Sequence, residues 1–165
     1  MSSGSVAEAR EIDETWRVKT LRLAVLALAF FALGSVAARA DVNWLTDISK
    51  AQAEAKASHK LLLLDFTGSD WCIWCKKLEA EVFSKPEFQD YARDHLVLMT
   101  VDFPRKNPLT PEVRKQNQEL AQKFGIQGFP TIVVLNGTGK QVGELGYQPG
   151  GPSAFVQELQ KLPKE

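Results

Sequence analysis

The 165 residues include two cysteines, two histidines and two methionines, and Lys plus Arg (20) cancels Asp plus Glu (20). With only Cys72 and Cys75 present, no third thiol exists for a structural bridge elsewhere in the fold. The scarcity of histidine excludes a zinc finger, because a tetrahedral site needs four ligands and His59 and His95 lack finger spacing. Lys76 stands where covalent c-type haem attachment needs a histidine. The balanced charge gives no electrostatic footprint for nucleic acid, so no such partner is expected. There is no internal repeat and no low-complexity linker. What is present, 44% apolar and 24% charged residues, suffices for one domain core and a short extension, and excludes a two-domain or disordered chain.

From Leu23 to Ala38 sixteen residues carry no charge; Arg17, Lys19 and Arg22 precede them and Ala38-Arg39-Ala40 ends them. That is the plan of a secretory signal peptide, with cleavage expected before Asp41. It divides the chain into residues 1–40, extension and signal, and 41–165, the domain. The run is short for a bilayer span of about 20 residues, although an uncleaved helix tethering the domain to a membrane is the competing reading. Glu8, Glu11, Asp13 and Glu14 stand before the basic region, which suits a signal peptide badly; translation from Val18 through a non-AUG codon accounts for it. From Asp41 onward, 15 basic residues face 16 acidic ones, with no polybasic stretch for anionic lipid. A periplasmic or secreted domain is therefore expected, in an oxidising compartment.

Periodicity predicts the elements. Trp44, Ile48, Ala51 and Ala55 at helical spacing after Asn43 predict a helix over 44–58. Leu61 to Phe66 is a continuous apolar run of strand length, as in a strand buried on both faces. A helix starts near Cys72, with Cys75, Leu78 and Val82 on one face and Lys76, Lys77, Glu79 and Glu81 on the other. Ser84 with Glu87 reads as a capping box opening a helix over about 85–94, and Leu96 to Val101 follows as a strand. Thr110-Pro111 starts a helix that Gly125 ends. Ile132 to Leu135, the Asn136-Gly137-Thr138-Gly139 turn and Gln141 to Leu145 form a hairpin, and Phe155, Val156, Leu159 and Leu162 mark a last helix. The order αβααβαββα is that of an α/β sandwich around a small mixed sheet.

The chemistry sits at Trp71-Cys72-Ile73-Trp74-Cys75, a Cys-x-x-Cys between a buried strand and a helix. The spacing brings both sulfurs within disulfide reach, with Cys72 expected at the exposed end and Cys75 tucked against the domain. The positive end of the helix favours a thiolate at Cys72, the expected nucleophile; Cys75 would resolve the mixed disulfide. Two electrons move and no cofactor is required. A module of another class, whose dithiol binds or delivers a soft metal such as Cu(I) without catalysis, remains an open reading. No separate metal-ligand set is expected.

Strand Leu61 to Phe66, Trp71-Cys72-Ile73-Trp74-Cys75-Lys76, Gly128-Phe129-Pro130-Thr131 about 55 residues on, and the closing strand, turn, strand and helix resemble the thioredoxin family over roughly residues 44–162. Gly-Ser-Asp-Trp-Cys and the exported context are more similar to periplasmic thioredoxin-like and thiol:disulfide interchange domains than to cytosolic thioredoxin. The resemblance implies a thioredoxin-like fold, a central mixed sheet with helices on both faces and an N-terminal helix. It implies a cis Pro130 beside Cys72, with Gly128 and Phe129 facing substrate along with Trp71, Ile73 and Trp74. Asp65 resembles the buried aspartate that helps deprotonate the second thiol, yet it lies seven residues before Cys72, one more than the family spacing, so its register is open. Asp70 could act on the thiolate from the surface instead, and Trp74 is either a docking surface for clients or a shield over Cys75. Ile73-Trp74 supplies no imidazolium, which argues against a strongly oxidising pair. Trp44, Phe124 and Phe155 read as core, and Arg105 and Lys106 as solvated loop charges. The expected partners are client proteins with disulfides and a membrane-bound electron donor, for a monomer.

Overall fold

The computed structural model describes residues 42–163. The signal peptide, the cleavage point and the Val18 start lie outside them. Among the described residues, no helix is long and apolar enough to cross a membrane.

Five strands form one sheet in the order β1-β3-β2-β4-β5: β1 is Trp44–Leu45, β2 Leu61–Thr67, β3 Leu96–Asp102, β4 Thr131–Leu135 and β5 Gln141–Leu145. The strands β1, β3 and β2 run parallel, while β4 is antiparallel to β2 and β5 to β4. Among the described residues five α-helices accompany them: α1 Ile48–Ser58, α2 Ile73–Leu78, α3 Pro86–His95, α4 Pro111–Lys123 and α5 Gly151–Gln160. This is the thioredoxin-like arrangement expected from the motifs.

Every residue of β2 is buried. Both faces of that strand are covered, which is why its sequence shows no polar alternation. Leu62, Leu64 and Phe66 pack with Ala51 and Ala55 of α1 and Leu120 of α4. Leu61 and Leu63 pack the other way, onto Leu78, Phe83, Phe88 and Phe155. Asp65 and Thr67 continue that second row, so the strand's alternation aims the Asp65 carboxyl at the α2 side of the sheet.

Three local expectations change. Residues 44–58 are not one helix: the Asp47 carboxylate accepts the Lys50 N–H at 3.0 Å and caps α1, while Trp44 pairs with Leu98 as a strand. Ser84 does not form the capping box, because its hydroxyl donates back to the Ala80 carbonyl at 3.1 Å and Glu87 is taken by the Ser153 hydroxyl at 2.6 Å. Lys85 stands at the cap and Pro86 at the first turn of α3. Between α2 and α3, Glu79–Phe83 continues as a π-helical turn. The cap at Thr110, whose hydroxyl accepts the Val113 N–H at 3.4 Å, follows the sequence.

Candidate active site

The strand β2 delivers the chain to a turn in which the Gly68 carbonyl accepts the N–H groups of Trp71 and Cys72 at 3.1 and 2.8 Å. Cys72 then caps α2, its sulfur accepting the Cys75 N–H at 3.1 Å. The two cysteines form a disulfide, with Cα atoms 5.3 Å apart. Both are nearly covered, Cys72 at 5% and Cys75 at 6% exposure, so Cys72 is not the open end that the sequence suggests. Its sulfur folds back over the first turn instead of outward. The exposed part is the intervening pair, Ile73 at 75% and Trp74 at 52%.

Behind the disulfide lies a cavity of about 460 Å³ whose walls include Cys75, Asp65, Glu79, Thr100 and Trp44. Asp65 and Cys75 thus line one cavity despite the extra residue before Cys72. One of its carboxyl oxygens is buried without a hydrogen-bond partner. Burial, with the charges of Glu79 and Asp102 adding to it, pushes Asp65 from 3.8 up to about 7. Glu79 is raised as well, by burial. Helical patterning assigns Glu79 to the polar face, but it follows Cys75 by four residues, and that i, i+4 relation puts it on the cavity side. Trp44 lines the same cavity while its ring packs 5.1 Å from Phe83.

In front lies an open groove of about 590 Å³ lined by Trp74, Lys77, Phe129, Pro130, Gly146 and Tyr147. The Phe129–Pro130 peptide bond is cis. Gly128 has open space where a side chain would be, and its carbonyl accepts the Thr131 hydroxyl at 2.9 Å. Trp74 lies against Tyr147, ring centroids 5.2 Å apart, and forms a wall of the groove.

A strap holds the turn before Cys72 to the segment after β3. Ser69 donates its N–H and hydroxyl to the Asp102 carboxylate at 2.9 and 2.6 Å. The Asp70 carboxylate accepts the Arg105 and Lys106 N–H groups at 3.0 and 2.6 Å, and these bonds hold it below the usual carboxylate range. Trp71 donates its indole N–H to the Phe103 carbonyl at 2.8 Å. Its ring meets Phe129 edge-on at 5.8 Å. Arg105 does not merely face solvent: its guanidinium lies 3.8 Å from the Trp71 ring centroid. No local pattern marks that contact, since the partners are 34 positions apart.

Residues 48–163 match the family model described as a thioredoxin-like domain. The chain is 39% identical over 127 residues to disulfide bond reductase DsbH of Chlamydia pneumoniae, covering 77% of this chain and 76% of that protein. It is 32% identical over 116 residues to thiol:disulfide interchange protein DsbD of Photorhabdus laumondii, covering 68% of this chain but only 18% of that much longer protein. A solved structure of DsbH oxidoreductase superposes with a TM-score of 0.70 at 39% identity, covering 73% of this chain and 83% of that one.

Proposed function

The chain belongs to the thioredoxin-like domain family, and from that premise we propose that it is an exported thiol:disulfide oxidoreductase that reduces or isomerises client disulfides through Cys72 and Cys75. One observation carries the reading: in a Cys-x-x-Cys disulfide at a helix N-terminus, the second cysteine lines a cavity with Asp65, one of whose buried oxygens has no partner, while the intervening Trp74 lines a groove with the cis proline.

The disulfide form is the product of one turnover. In the reduced form the Cys72 sulfur retains the Cys75 N–H and the positive end of α2, both of which favour a thiolate. That thiolate attacks one sulfur of the client disulfide, forming a Cys72–client bond and expelling the other client sulfur as a thiolate. Cys75 then gives its proton to the Asp65 carboxylate across their shared cavity and attacks the Cys72 sulfur. The mixed disulfide breaks, the second client sulfur leaves, and two electrons have passed to the client. A carboxyl near 7 suits this role, because it is partly ionised at neutral pH yet holds a proton once it has one. A dithiol donor must restore the reduced pair, and a membrane-bound electron donor fits the exported setting. Ile73, Trp74, Gly128, Phe129 and Pro130 supply the surface along which the client backbone lies, with Trp71 packed behind it.

The test is trapping. A Cys75→Ser variant incubated with a disulfide-bonded client should accumulate a mixed disulfide through Cys72, visible as a thiol-sensitive higher-mass species. Cys72→Ser should accumulate none; trapping through Cys75 instead would reverse the assignment.

A further inference from the structure

Two cations rest on aromatic rings beside the disulfide, and the sulfur chemistry uses neither. Arg105 stacks on Trp71 at 3.8 Å, and Lys77 Nζ sits 5.3 Å from the Trp74 centroid and 5.1 Å from that of Tyr147. Phe129 links the two pairs: it touches Trp71 and lines the groove with Trp74 and Lys77. The acids nearby are already engaged. Asp70 grips the Arg105 and Lys106 amides, and Glu81 accepts the Tyr147 hydroxyl at 2.7 Å and pairs with Lys77 at 3.8 Å. Among the described residues, no carboxylate pairs with the exposed Arg105 guanidinium. Asp70 keeps its charge and Glu81 balances Lys77, so what this rim offers an acidic ligand is the unpaired Arg105 guanidinium and not a net positive field.

The arrangement of Arg105 is also pre-organised. Asp70 fixes its backbone, and the Trp71 ring, anchored to the Phe103 carbonyl, supports the flat face of the guanidinium. Stacking uses that face and leaves the N–H edge for a carboxylate, which the planar fork can hold with two parallel bonds. Resting on the oxidoreductase reading, we propose that Arg105 selects client segments in which acidic side chains flank the disulfide.

The experiment uses two disulfide-linked peptides of identical length, one with Glu flanking each cysteine and one with Lys, reduced by the full chain with dithiothreitol as donor. The ratio of kcat/KM, acidic over basic, should be about fivefold at low ionic strength, the scale of an exposed charge pair. It should collapse toward one in 1 M salt, where the screening length is about 3 Å. Arg105→Gln should lower the ratio. Lys56→Gln, which removes the same charge from α1 at the opposite end of β2, should leave it unchanged. Equal rates for the two peptides, or a ratio that survives Arg105→Gln, overturns the assignment. Failure to reduce either peptide or neutral hydroxyethyl disulfide overturns the oxidoreductase reading itself, and the two failures are thereby distinguished.

Discussion

Asp65 is a carboxyl that the fold buries, with one oxygen left without a partner. Burial raises it to about 7 from 3.8, so folding selects its protonated form. The stability gained from that selection is fully present below the ordinary carboxylate range. It is lost as pH climbs through about 7, where the folded molecule must hold a charge beside an unpaired oxygen. Urea unfolding of the disulfide form should therefore show stability falling between pH 5 and pH 8 by a few kcal/mol, since each tenfold change in proton affinity corresponds to about 1.4 kcal/mol. Asp65→Asn should flatten that decline, and it separates stability from mechanism. The same variant should slow release of the client from Cys72 and remove the pH dependence of that step near 7, read by acid quench of the mixed disulfide. If the dependence persists in Asp65→Asn, the proton goes elsewhere, with Glu79 as the other carboxyl on the cavity wall.

At the scale of elements, the turn joining β2 to α2 positions the site, and Gly68 is its tightest point. A Cβ there would sit 2.5 Å from the Trp71 indole, a ring pinned by the Phe103 carbonyl and by Arg105. Gly68→Ala should cost about 1–3 kcal/mol, the usual penalty of overpacking. It should also loosen residues 103–106, so trypsin should cut after Arg105 and Lys106 faster than in the unaltered chain. Stability and cleavage both unchanged would mean that the strap does not depend on Trp71. Much of this level is written locally in the chain. The β2 run, the Thr110 cap and the Cys-x-x-Cys spacing act within a few residues and are legible. The start of α1 is not, because Trp44 satisfies helical spacing with Ile48 while its backbone is claimed by Leu98, 54 positions away. The strap is invisible for the same reason: Asp70 meets its partners 35 and 36 positions on. The signal for Glu79 is its place four residues after Cys75. Amphipathic patterning overrides that signal, because a charged residue on such a helix is ordinarily assigned to solvent.

For the whole molecule, the redox state and the folding equilibrium form one thermodynamic cycle. The difference in stability between disulfide and dithiol forms equals the difference in reduction free energy between folded and unfolded pairs, with about 30 mV corresponding to 1.4 kcal/mol. A fold that stabilises its thiolate favours the dithiol and makes an oxidant; a fold that favours the disulfide makes a reductant. Here the pair Ile73-Trp74 brings no imidazolium to the Cys72 thiolate, whose support is the Cys75 N–H and the positive end of α2. Without an imidazolium, that support limits how far the fold favours the dithiol. The cross-link itself spans three positions, and closing so short a loop contributes only about 2 kcal/mol through chain entropy, so the core should hold in either state. The disulfide form should therefore unfold at higher urea than the dithiol form, with the same far-UV spectrum for both. A dithiol form that is the more stable of the two would make the molecule an oxidant and reverse the direction of electron flow, even if every residue assignment at the site stood.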